Sequence, residues 1–152
     1  MIRDTHELAR FLVEAKRNTY AAQMGKISSS RKGSKDLGYG KGGYYYLDSY
    51  FGEKDFSGQE VVYLDNVPIW SMNYYGRMAR DDVPPGFIET LREALLGVEE
   101  ASPYRGCGRH TRGEYAYRCR SDGTVLSFQG RESIELTGQE VYHLLFHGGQ
   151  IR

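Results

Sequence analysis

The chain has 152 residues, 20 Lys+Arg against 20 Asp+Glu, a formal net charge of zero and 39% hydrophobic residues, with a mean hydropathy of −0.61. That is enough chain for a single domain over 1–152 with its own core, and zero net charge argues against a dedicated duplex-DNA binder, whose affinity comes from neutralising phosphates. No apolar run approaches the roughly 18 residues of a membrane span, charges interrupt the N-terminal MIRDTHELARFL where a leader would be apolar, and Cys107 and Cys119 are too few for a disulfide framework; a soluble cytoplasmic protein with free thiols is expected.

Residues 4–17 read as an amphipathic helix. Asp4-Thr5-His6-Glu7 resembles a capping box, and Leu8, Phe11, Leu12 and Ala15 form one apolar stripe. Met24 to Gly43 reads as a basic Gly/Ser-rich connector carrying Lys26, Arg31, Lys32, Lys35 and Lys41, longer than most loops in a compact domain. Tyr44 to Phe51 reads as a strand. Phe56 to Gly76 then reads as two strands around Leu64-Asp65-Asn66. Side-chain parity favours a three-residue loop with Asn66 left-handed and a glycine-type bulge, which puts Val62, Leu64, Trp70, Met72 and Tyr74 on one face.

Asp81 to Gly86 breaks the chain into halves of about 4–80 and 84–149. Phe87 to Gly97 reads as a second helix with Ile88, Leu91 and Leu95 on its stripe and Gly97 as C-cap. Ala101 to Gly113 is a second basic connector, Tyr115 to Arg120 a strand, and Phe128 to Gly148 a second hairpin. Shifted by 72 residues, the two hairpins superpose without a gap: Phe56/Phe128, Gly58/Gly130, Glu60/Glu132, Leu64/Leu136 and Gly76/Gly148 are identities. An internal duplication follows. The expected fold is α+β, a duplicated helix-strand-hairpin unit with about six antiparallel strands, two helices and a pseudo-two-fold. Its predicted core is Leu8, Phe11, Leu12, Val62, Leu64, Trp70, Met72, Tyr74, Ile88, Leu91, Leu95, Ile134, Leu136, Tyr142, Leu144 and Phe146.

LVEAKRNTYA (Leu12 to Ala21), SSR-x-GS-x-DL (Ser29 to Leu37), WSMNYYGR (Trp70 to Arg77), PYRG (Pro103 to Gly106) and FHGG (Phe146 to Gly149) together resemble a bacterial family catalogued as domain of unknown function 5680. The resemblance runs from Leu12 to the end and brings no assigned site residues. In some members a similar domain follows a helix-turn-helix region, which implies a sensory or effector-binding role; none is expected in the few residues given before Leu12.

Four sets of residues bear on chemistry. Glu60 and Glu132 occupy equivalent inward positions; near the pseudo-axis, burial and like charge would make them an acid/base pair, whereas the plainer expectation is that each is paired at a strand end. Cys107, His110, His143 and His147 match no zinc spacing, and Cys107 reads as a free thiol rather than a nucleophile, so no metal, cofactor or catalytic residue is assigned. Tyr44, Tyr46, Trp70, Tyr74 and Tyr75 could line a concave sheet face that recognises a ligand. Arg31 and Arg105, one in each basic connector, could clamp an anion or an RNA strand. The leading expectation is a cytoplasmic binding or sensory domain without catalytic activity, taking a small anionic or aromatic ligand between its halves, with a homo-oligomer as a further expectation. The alternatives are a hydrolase using Glu60/Glu132 or His143/His147, and single-stranded RNA binding through the basic connectors.

Overall fold

The computed structural model describes residue 2 and residues 4–152; Met1 and Arg3, part of the stretch read above for a leader, lie outside the described residues. In chain order the elements are α1 (Thr5–Arg17), a 3-10 turn (Tyr20–Ala22), β1 (Lys26–Ile27), β2 (Lys35–Lys41), β3 (Tyr44–Gly52), β4 (Phe56–Leu64), β5 (Val67–Met78), α2 (Phe87–Leu96), β6 (Arg109–Arg112), β7 (Tyr115–Thr124), β8 (Ser127–Leu136) and β9 (Gln139–Gln150). All strands pair antiparallel in one sheet of nine, ordered β1-β2-β3-β4-β5-β9-β8-β7-β6. The expected α+β class is right in outline, but the sheet has nine strands rather than about six.

The three additional strands lie inside the two stretches read as connectors. Glycine and lysine lower strand propensity, so KDLGYGK carries little strand signal by itself. Its order comes from pairing: a turn at Gly42, with φ +60, folds β2 back on β3, and a turn at Gly113, with φ +57, folds β6 back on β7. The Tyr45 side chain lies across Gly38, where an added Cβ would come within 2.3 Å of its hydroxyl. Ahead of β2, the loop folds over the buried Asp36, whose carboxylate accepts from the Ser30 amide (2.9 Å) and the Ser49 hydroxyl (2.8 Å). Burial pushes this carboxyl up, but the bonds from Ser30, Ser34 and Ser49 outweigh it and bring it down to about 2.

The helices begin and end close to where their caps place them. Asp4 accepts from the His6 and Glu7 amides at 2.8 and 3.1 Å, satisfying two of the free donors of the first turn. Gly97 caps α2 with φ −81, so it closes the helix without a left-handed residue.

The hairpin turns differ from the expectation. Asp65 and Asn66 both have positive φ, as do Thr137 and Gly138, so each is a two-residue turn with Leu64 facing Val67 and Leu136 facing Gln139. A bulge after Val62 and after Ile134 then shifts the register by one. The face assignment survives because the bulge, not the turn, supplies the extra residue. Val62 pairs with Trp70, Glu60 with Met72 and Gly58 with Tyr74, and Val62, Trp70, Met72 and Tyr74 are buried. The bulge carbonyls of Ile69 and Val141 accept the amides of Ile151 and Ala79, both at 2.8 Å, so each bulge receives the chain leaving the other half's last strand.

β5 and β9 form the centre of the sheet, where Tyr74 faces Phe146. Both helices pack on the same face. They meet at their C-terminal ends, where Arg17 donates to the carbonyls of Leu96 (3.2 Å) and Val98 (2.8 Å). The core lies between helices and sheet; of the predicted core only Leu64, Ile88 and Leu136 are half-buried rather than buried. The opposite face is open, with Tyr75 and Leu145 exposed as direct cross-strand neighbours. No helix among the described residues is long and apolar enough to cross a membrane.

Candidate functional site

Strand alternation sends Tyr46, Asp48 and Tyr50 of β3, Phe56 and Glu60 of β4, and Tyr74 of β5 toward the helices. From above, α1 presents Lys16, the turn after it Tyr20 and Ala21, and α2 Ile88, Leu91 and Leu95; Tyr104 and Arg105 enter from the segment after α2. These side chains line a half-open cavity of about 240 Å³ between the sheet and the two helices. Its walls are mainly aromatic and aliphatic, with a small set of charged groups converging on them, the usual make-up of a small-molecule site.

Each charged group has an identifiable position. Asp48 and Glu60 are direct partners across β3 and β4, which places their Cβ atoms about 5 Å apart. Glu60 is buried and receives the Lys16 ammonium, itself buried on the inner stripe of α1. Burial pulls the Lys16 ammonium below the usual lysine range, and Glu60 offsets part of that fall. Asp48 accepts from the Tyr74 hydroxyl at 2.6 Å. Desolvation and the neighbouring Glu60 charge raise Asp48 to about 7, against the pull of Tyr74, Lys16 and Arg105. Burial, together with Glu60 and Asp48, pushes the Tyr46 and Tyr74 phenols well above the ordinary tyrosine range, so both remain donors.

Glu132 is also fully buried but stands outside the cavity, and its oxygens are saturated. Arg105 reaches it with two nitrogens, at 2.9 and 3.2 Å, while Tyr117 (2.6 Å) and Tyr142 (2.8 Å) donate from either side. The two glutamates do not meet: their strands lie three ladder steps apart, roughly 14 Å. Each is neutralised by a cation from above the sheet, so they form no acid/base dyad. Where the first half has Asp48 opposite Glu60, the second has Cys119 opposite Glu132. Burial and the Glu132 charge push the Cys119 thiol up to about 12.

Of the residues expected to bind a ligand, Glu60, Tyr46, Tyr74 and Arg105 line this cavity. Tyr44 instead stacks on Phe11 with ring centroids 4.9 Å apart, and Trp70 is buried with its indole nitrogen donating to the Val125 carbonyl at 2.8 Å. Arg31, Tyr75 and His147 lie along a second pocket, of about 440 Å³, on the opposite, outer face, where Arg31 donates to Ser49. His143 is on that face too, 3.7 Å from Glu140. Arg31 and Arg105 thus point to opposite sides of the sheet and form no continuous basic surface. Cys107 donates to the Arg109 carbonyl (3.3 Å) and His110 pairs with Glu93 (2.8 Å); among the described residues, no group of three or more His, Cys, Asp or Glu is arranged to hold a metal ion.

Sequence reasoning passed over Asp48 and Lys16, and both carried a signal. Lys16 continues the Leu8, Leu12 spacing of four onto the apolar stripe, where a lysine is out of place. Asp48 interrupts a tyrosine-rich strand at an inward parity, where aspartate is disfavoured.

No curated protein and no solved structure matches the chain. The family model described as Domain of unknown function (DUF5680) matches residues 48–151, taking in Asp48, Glu60, Tyr74 and Arg105 and leaving Lys16 outside. On that match over more than half its length, the chain belongs to the DUF5680 family.

Proposed function

We propose that this chain is a small-molecule-binding domain without catalytic activity, in which two halves related by an internal duplication close over one ligand. The observation that carries this reading is the cavity of about 240 Å³, walled by aromatic and aliphatic side chains, with Asp48, Glu60, Lys16, Tyr74 and Arg105 converging on it. Burying charged groups beside empty space is costly unless they are paired. Lys16 and Arg105 are paired with Glu60 and Glu132 but Asp48 has no counter-charge, and a ligand that supplies one accounts for its presence there better than core stability does. The duplication is supported by the matching environments of residues 72 apart: Trp70 and Tyr142 are both fully buried on the central strands, opposite Val62 and Ile134 of bulged hairpins.

A thermal-shift screen of a metabolite library tests the reading, with Ile88→Trp as the control that fills the cavity. At least one compound is expected to raise the melting temperature of the natural protein and to leave that of the filled variant unchanged. A screen with no stabilising compound, or hits indifferent to Ile88→Trp, counts against it.

The position of Asp48 supports a second reading. A carboxyl raised to about 7 beside a second carboxylate is suited to general acid-base work, and a hydrolase using Asp48 and Glu60 would lose its turnover of esters or glycosides on Asp48→Asn.

A further inference from the structure

The charged groups around the cavity do not cancel one another completely. Its lining holds three cations, Lys16, Lys35 and Arg105, and three carboxyls, Asp48, Glu53 and Glu60. Lys16 is taken by Glu60, Lys35 lies 3.2 Å from Glu53 at the rim, and Arg105 is turned away to Glu132, 2.9 Å off. Among the described residues no cationic nitrogen lies within 4.0 Å of Asp48, whose partner is the uncharged Tyr74 hydroxyl. Asp48 is nonetheless only 6% exposed. The free charge of the cavity is therefore one carboxylate, enclosed by aromatic rings.

We propose that the cavity selects a small organic amine, its ammonium group paired with Asp48 and its apolar body held against Tyr50, Phe56, Leu91 and Tyr104. This deepens the binding reading above and rests on it. Three features favour an amine over an anion. Lys16 and Arg105 already carry close carboxylate partners, so an anionic ligand would have to break a buried pair to reach either. An ammonium gains from the faces of the surrounding rings, as the approach of Lys16 to the Tyr46 ring at 5.6 Å illustrates. It also supplies the counter-charge that Asp48 lacks beside Glu60.

Affinity then depends on the ionisation of Asp48. The groups facing it are Glu60 from β4, Tyr74 from β5, Lys16 from α1 and Arg105 from the segment after α2. An amine binds the ionised carboxylate, so its affinity rises as pH passes upward through about 7, while the amine itself stays protonated.

The test is an NMR titration of the whole protein with three probes of matched shape: 2-phenylethylamine, 2-phenylethanol and 3-phenylpropanoate. At pH 8 the amine is expected to bind at least tenfold more tightly than the alcohol, and the propanoate least. Between pH 6 and pH 8 the amine should tighten by about tenfold while the alcohol stays constant. Asp48→Asn should erase the preference for the amine and keep the binding of the alcohol. If that variant does not fold, the pH dependence in the natural protein decides alone. Equal affinities, or a tighter propanoate, overturn the choice of an amine and leave a ligand cavity standing. If no probe moves cavity resonances while a library compound does so, the choice of an amine falls by itself; if the library is blank as well, both fall.

Discussion

At the scale of single residues, what separates Glu60 from Glu132 is the company each keeps. Glu132 receives four hydrogen bonds from Arg105, Tyr117 and Tyr142, which makes it a structural node with no oxygen left to offer. Asp48 and Glu60, side by side, have one ammonium between them. The raised Asp48 carboxyl has a direct consequence for stability. An acid whose folded-state value lies above its ordinary one holds a proton in the folded state after the unfolded chain has lost it, so stability falls as pH rises across that window. Here the window runs from 3.8 to about 7, and at ~1.4 kcal/mol per unit the loss is at most about 4 kcal/mol. An asparagine in place of Asp48 would keep the bond from Tyr74 and remove the titration. Asp48→Asn is therefore expected to gain stability relative to the natural protein between pH 5 and pH 8. Urea unfolding across that range measures it, and parallel pH profiles would contradict it.

At the scale of elements, three of the identities shared by the two hairpins, Phe56/Phe128, Gly58/Gly130 and Gly76/Gly148, have a steric explanation. Phe56 lies opposite Gly76 and Tyr74 opposite Gly58; in the second hairpin Phe128 lies opposite Gly148 and Phe146 opposite Gly130. Each ring occupies the space a Cβ on the facing strand would need: an added Cβ would come within 2.3 Å of the Tyr74 hydroxyl at Gly58 and 2.1 Å of the Phe146 ring at Gly130. At Gly148 the nearest atom is the Ser71 carbonyl oxygen, 2.1 Å away, which is backbone of the central ladder. A flexible ring end yields more readily than a paired strand. Gly58→Ala is thus expected to cost about 1–3 kcal/mol, the range of an overpacked core, and Gly148→Ala more. Denaturant midpoints of the two variants compare them, and the reverse order would show that the rings, not the strands, are the rigid partners.

At the scale of the molecule, neither half is complete alone. Cutting at residue 80 would strip β5 of β9 and leave a twelve-residue strand as an open edge, a template for unwanted pairing. It would also remove the Leu96 and Val98 carbonyls to which Arg17 donates and the Phe128 ring that stacks on Trp70 at 5.5 Å. A chain of residues 4–80 is expected to associate or remain unfolded, which size-exclusion chromatography and circular dichroism would show. A folded monomer would mean that the central ladder is dispensable.

Local signals determined what they could reach by themselves. The caps and apolar stripes of α1 and α2, the inward faces of the hairpins and the residues the two hairpins share are all written in residue type and spacing, because period and parity are local properties of a chain. Two things were decided by tertiary contact. The outer strands β1, β2 and β6 carry weak propensity and exist because β2, β3 and β7 respectively offer unsatisfied backbone groups to pair with. The cavity chemistry depends on which cation reaches which carboxylate. Lys16 and Glu60 lie 44 residues apart, Arg105 and Glu132 27 apart. Nothing in either local stretch says that Asp48 is the acid left without a counter-ion, since Coulomb interaction follows distance in space and not separation along the chain.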